Sequence, residues 1–248
     1  MLLNDKVFRR FEQSAAQQTI SEIHLGLGYS AVTLASGGCG LCYTPKEKGG
    51  SCTVFKESVE FEGSPATLLL ERIHDDKPLV RCLAIALANA LNHTYALGLP
   101  DDEGDIAGDL KLKRGSKVAM IGYFAPIIGE LEKQGMEVRP YDIGKAVGDE
   151  ESFYAWAACE ADALILTATS LITNSTERIF EMLGTTELPS ILMGPSTIAC
   201  PGLYEHLGIH YCAATVATDV GGILKDIRNG RGTPYLHKHS RKVRLKLL

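Results

Sequence analysis

Residues 36–45, SGGCGLCYTP, place two cysteines, Cys39 and Cys42, in C-x-x-C spacing among glycines. That spacing leaves three chemistries open. Two such pairs build a closed zinc site, because structural zinc takes four ligands. A pair at a helix start makes a redox dithiol, because the helix dipole lowers the pKa of the first thiol. A pair on a glycine loop can touch a metal or metal complex while the glycines give the backbone its freedom. Cys52 has no partner at short spacing. Cys82 and Cys159 fall in helical stretches with apolar neighbours and read as core thiols. Cys200 and Cys212 fall near the ends of later strands, and Cys200 follows a GPST turn from which it can face a cleft. The missing second pair argues against closed zinc, and the lack of a helix start argues against a dithiol. The expectation is therefore a glycine loop, with Gly37, Gly38 and Gly40, lying over a ligand cleft. Cys39 and Cys42 are candidate metal ligands on it. Lys46 and Lys48 on the same loop can attract an anion. No H-x-E or H-E-x-x-H motif occurs.

The elements that carry this loop are legible from periodicity. Ile23, Leu25 and Leu27 alternate, as do points of residues 52–61 (Val54, Phe55, Val59, Phe61), so two strands flank the loop as a hairpin. His24 faces away from Ile23 and Leu25. Residues 66–75 and 78–97 read as helices, the second apolar nearly all round and so buried. Residues 1–98 therefore form an α+β unit. Residues 99–115, with Pro, Gly and an acidic run, read as a linker. Residues 116–248 alternate strand and helix, which implies parallel crossovers and a doubly wound sheet. Asn174 with Glu177 fits a capping box for the helix that follows. Residues 237–246, HKHSRKVRLK, read as a solvated basic tail.

A doubly wound sheet binds ligands beyond the carboxyl ends of its strands. The strand ends here are Gly122-Tyr123-Phe124, Tyr141-Asp142, Thr167 to Ser170 and Gly194-Pro195-Ser196-Thr197. Small and hydroxyl residues of this kind let a ligand approach the backbone and offer it donors. Asp142 stands about 20 residues beyond Gly122, where dinucleotide-binding sheets hold a ribose with a carboxylate. The glycine fingerprint is absent, however. GYFAPIIG puts bulky Tyr123 and Phe124 where pyrophosphate needs bare backbone. Asp142 serves equally as the cap of its own loop.

Net charge is −5, which argues against nucleic acid as a partner. No apolar run reaches membrane-spanning length and no leader pattern opens the chain, so seven cysteines read as reduced thiols in the cytoplasm.

MIGYFAP, LILTATSLITNST and LMGPST, behind an α+β first half with a glycine-rich hairpin, resemble the heavy-metal chelation family, which is catalogued as a domain of unknown function. The resemblance covers essentially the whole chain. It implies a small first domain like the N-terminal domain of enolase, a Rossmann-like second domain and a ligand site in the cleft between them. The segments 122–126, 167–176 and 194–196 match the family's cleft-facing stretches. The resemblance thus makes Gly122, Tyr123, Phe124, Thr169, Asn174, Gly194, Pro195 and Ser196 candidate ligand contacts, and the strand-end spacing adds Asp142. It implies a metal ion, a metal chelate or a small organic ligand as partner, with a transition metal as the candidate cofactor, whether the role is catalytic or not. The alternatives are a nucleotide- or S-adenosylmethionine-dependent transferase or oxidoreductase, and a non-catalytic metallochaperone or sensor. Apolar helices make a homodimer the expected assembly.

Overall fold

A computed structural model describes residues 1–46, 58–184 and 187–248. The chain opens with α1 (Leu3–Ala15), then β1 (Ile20–Leu25), β2 (Tyr29–Leu34) and β3 (Cys39–Tyr43) in an antiparallel sheet of that order. Helices α2 (Ala66–Leu70), α3 (Pro78–Leu91) and α4 (His93–Leu97) follow. Pro78 at its start sets the first turn of α3. The helix is buried from Val80 to Ala88 because it lies on the sheet.

The glycine stretch differs from the expected long loop. Gly37, at φ 92°, makes a tight turn in which Leu34 N donates to Gly38 O at 2.8 Å. A left-handed residue is what that turn requires. Cys39 and Cys42 therefore belong to β3, which pairs with β2 from Thr33↔Cys39 to Tyr29↔Tyr43. Of the second expected hairpin strand, Cys52, Val54 and Phe55 lie outside the described residues, as does Lys48. Phe61 is buried but stands in no strand.

The second half runs α5 (Ile106–Asp109), β4 (Lys117–Ile121), α6 (Ala125–Lys133), β5 (Glu137–Tyr141), α7 (Glu150–Glu160), β6 (Ala163–Thr167), α8 (Thr169–Ile172), α9 (Thr176–Leu183), β7 (Ser190–Met193), β8 (Tyr211–Ala217), α10 (Val220–Arg228), α11 (Thr233–Leu236) and β9 (Ser240–Lys246). The sheet order is β5-β4-β6-β7-β8-β9. All pairs are parallel except β8–β9. The chain turns from one side of β4 to the other between β5 and β6, which is the switch point of a doubly wound sheet. Alternating side chains bury both faces. Val118, Met120 and Ile165 meet Leu131 of α6. Ala119, Ile121, Leu164 and Leu166 meet Phe153 of α7 and Phe180 of α9. That second core continues without a break to Leu3, Val7 and Phe11 of α1 and to Leu83 and Leu87 of α3.

Three further expectations are corrected. Residues 237–246 are not a solvated tail, since 240–246 form the edge strand β9. Arg241 reaches Asp101 at 2.7 Å, and Arg244 pairs with Asp102 and Asp109, so the acidic run neutralises the basic strand. The capping box does not form. Asn174 adopts φ 52°, Ser175 precedes α9 without a side-chain cap, and Glu177 accepts instead from Leu3 N at 2.6 Å. Cys159 is exposed rather than in the core. No helix among the described residues is long and apolar enough to cross a membrane.

Among the described glycines, Gly40 leaves the least room for a side chain. A Cβ there would stand 2.0 Å from Ala86 O and 2.2 Å from Ala90 N, both backbone atoms of α3. Gly40→Ala is expected to lower stability by about 3 kcal/mol, measured by urea unfolding. Gly37→Ala, which meets nothing within 4 Å, is expected to cost only the strain of its left-handed φ, about 1 kcal/mol.

Candidate functional site

The carboxyl ends of β4, β6 and β7 lie side by side. Gly122, at φ 96°, donates to Tyr141 O at 2.8 Å. A Cβ on it would reach within 2.8 Å of Thr167 Cβ. The loop after β4 therefore lies directly on the end of β6, and only glycine allows it. Gly194, at φ 126°, also takes a conformation that favours glycine after β7 and donates to Ala213 O at 3.1 Å. Between these glycines, Thr167 Oγ1 and Thr169 Oγ1 stand 3.1 Å apart. Tyr123 is exposed at the rim, with Lys145 Nζ donating to its carbonyl at 3.0 Å and lying 4.8 Å from its ring centroid. Phe124 lies with its ring beside Gly122 and packs, partly buried, against the core under α6.

Asp142 accepts from Lys145 N at 3.0 Å and caps the short turn that follows it. This is the local capping role that the sequence left open beside a ligand contact. Asn174 Oδ1 accepts from Asn4 Nδ2 of α1 at 3.0 Å. The structure therefore brings Gly122, Tyr123, Thr169 and Gly194 together, and engages Asp142 and Asn174 in contacts of their own.

The hairpin meets this edge of the sheet at Ser196. Its buried hydroxyl accepts from Tyr43 N at 3.0 Å and lies 3.3 Å from Cys42 Sγ. Further bonds close the same seam. Asn89 Nδ2 donates to Leu41 O at 2.9 Å, Asn92 Nδ2 to Ala199 O at 2.8 Å, and Arg81 to Ile172 O at 2.5 Å. Pro195 lines a small cavity beside the seam with Tyr29, Leu41, Thr215, Thr233, Leu236 and His237. Tyr29 Oη and Thr233 Oγ1 close it at 2.5 Å. Sequence reasoning missed Tyr29 and Thr233, because no local spacing relates residues so far apart in the chain.

The two cysteines do not converge. Three residues apart on a strand, they point to opposite faces. Cys39 packs with Ala31, Ala217 and Ile223, and burial pushes its thiol up to about 12. Cys42 packs on α3 in the main core. Burial raises its thiol, and the Cys82 thiol adds to the rise. Gly38 and Gly40 back onto α3, so the helix accounts for both glycines. Cys200 is buried, with Arg10 Nε donating to it at 3.2 Å, and does not face a cleft. His24 faces away from Ile23 and Leu25 and meets Glu22 Oε2 at 2.6 Å. Among the described residues, no three His, Cys, Asp or Glu side chains are grouped to hold a metal ion.

Ser196→Ala leaves Tyr43 N buried without its acceptor and is expected to cost about 1–3 kcal/mol, read by urea unfolding. A thiol raised on folding stabilises the native state below its unfolded pKa, near 9.0, and this is lost as pH climbs towards about 12. Stability is therefore expected to fall above pH 9, and less steeply in Cys39→Ala, measured as the unfolding midpoint between pH 8 and pH 10.5.

No curated protein matches the sequence. A protein of unknown function from Pyrococcus horikoshii, of the DUF364 family, superposes with a TM-score of 0.82 at 16% identity, over 99% of this chain and 100% of that one. One of the same family from Desulfitobacterium hafniense DCB-2 reaches 0.75 at 16% identity, over 98% and 99%. At such identity these show the fold. Two family models, each described as "Putative heavy-metal chelation", match residues 8–92 and 105–246. Between them they span nearly the whole chain, and the chain belongs to that family.

Proposed function

We propose that the protein binds a metal chelate, a small organic ligand carrying its own metal donors, in a cleft at the carboxyl ends of β4, β6 and β7 beside the hairpin. The observation that carries this is the pairing of Gly122 and Gly194, both left-handed, on either side of the Thr167 and Thr169 hydroxyls. Such a surface offers neutral hydroxyl donors, and open backbone at Gly194, where an added Cβ would meet only Ala168 at 3.9 Å, to a polar ligand. It lies at the switch point, where open α/β sheets take their ligands. The family description supplies the metal. The donor set supports a chelate over a bare ion, since hydroxyls and backbone groups are suited to hydrogen-bonding a ligand's oxygens. Lys145, anchored on Tyr123, adds a positive charge at the rim for an anionic chelate.

The test is a thermal-shift series on the purified chain with ferric citrate, citrate alone, free Ni(II), ATP and S-adenosylmethionine. Ferric citrate is expected to raise Tm, and Thr169→Val and Tyr123→Ala are expected to weaken its apparent affinity at least tenfold, with Tm of the free protein within a few degrees of the parent. A shift with ATP or S-adenosylmethionine alone overturns the proposal in favour of a transferase. A shift with Ni(II) alone overturns it in favour of bare-ion binding, as in a metallochaperone. No shift with any probe also overturns it.

A further inference from the structure

The contact of β3 with α3 places a second pair of thiols. Gly40 rests against Ala86 and Ala90 of α3. Cys42, two residues along β3, faces the same way, and Cys82 lies one helical turn before Ala86. Both side chains are fully buried in the same core, and the neighbouring Cys82 thiol helps to push the Cys42 thiol up. Ser196 Oγ accepts from Cys42 Sγ at 3.3 Å and from Tyr43 N at 3.0 Å. Its own hydroxyl hydrogen is thus available to the sulfur. C-x-x-C spacing suggested Cys39 as the partner of Cys42, and the fold provides Cys82 instead.

We propose that Cys42 and Cys82 form a two-thiolate site for one soft, linearly coordinated heavy-metal ion, Hg(II). Soft sulfur ligands select soft metals. A linear ion needs only two donors, whereas Zn(II) needs about four, and no third His, Cys, Asp or Glu joins this pair among the described residues. Charge decides between the linear ions. Hg(II) with two thiolates is neutral. Cu(I) or Ag(I) with two thiolates leaves a net negative charge, which a buried site penalises. In the binding step both S–H protons leave to solvent and two S–Hg bonds form, and nothing is oxidised or reduced. The Ser196 hydroxyl turns to donate to the Cys42 thiolate. Since both sulfurs are enclosed, the ion enters only when the hairpin lifts from α3, so uptake is slower than reaction at exposed Cys159. The site does not depend on the chelate cleft, and its failure leaves that proposal standing.

The full-length reduced chain is titrated with HgCl2 in excess glutathione, which strips mercury from single thiols. Mercury retained after desalting is then counted by mass spectrometry. One equivalent is expected for the parent, for Cys159→Ala and for Cys200→Ala, and at least a tenfold loss in Cys42→Ala and in Cys82→Ala. Full retention in the last two, or loss in Cys200→Ala, overturns the proposal. The unaltered chain gives a second measurement that no folding defect can blur. After loading and acid digestion, a mercury-bridged peptide pair carrying Cys42 and Cys82 is expected. A bridge between any other cysteines overturns it.

Discussion

Gly40 has no side chain, and the backbone of α3 occupies the place where one would be. Much else in the first half depends on that approach. It lets β3 lie flat on α3, which puts Asn89 within reach of Leu41 O and sets Cys42 over the helix. With β3 so held, Tyr43 N meets Ser196 and the hairpin is joined to the end of β7. A larger residue at this position would lift the strand from the helix and Tyr43 from Ser196 together. Packing and hydrogen bonding across the seam are thus one constraint, because close-packed interiors pass displacement on rather than absorbing it.

Much of the parallel sheet was legible in the sequence. Runs such as residues 118–121 and 163–166 are buried on both faces, so they are apolar throughout, and helical periods separate them. The strand ends at Ile121, Thr167 and Met193 lie where these runs stop. What was not legible depended on partners distant in sequence. The basic run at 237–246 has only the short alternation of Val243 and Leu245 to mark a strand. It becomes one because β8 offers it an edge and because Asp101, Asp102 and Asp109 supply opposite charge. Asn174 and Glu177 have the spacing of a cap, yet Leu3 N takes the glutamate. Cys159 sits among apolar neighbours in sequence, but the helix turns it outward.

The hairpin shows a different limit. Glycines near cysteines suggest a loop, and the composition of residues 36–45 fits that account. The same glycines serve equally where a strand turns tightly and then lies against a helix. Gly37 does the first and Gly40 the second. Nothing local separates these uses, since both rest on the absence of a Cβ. The parity of the cysteine spacing was informative once the strand was known. An odd offset on a strand sends two side chains to opposite faces, so one spacing that serves a loop chelate defeats a strand chelate.

That parity also separates the fates of the two thiols. Cys39 faces α10, among Ala31, Ala217 and Ile223, where burial keeps it protonated and inert. Cys42 faces α3, where a second thiol and a hydroxyl with a hydrogen to give surround it. Burial raises both thiols, but metal binding alters the balance only for the second. A soft divalent ion replaces two protons with one centre of equal charge, so the enclosed site remains neutral. The burial that suppresses ordinary thiol chemistry at Cys42 thus does not oppose coordination of such an ion. It opposes the ion's entry, and the opening of β3 from α3 governs that.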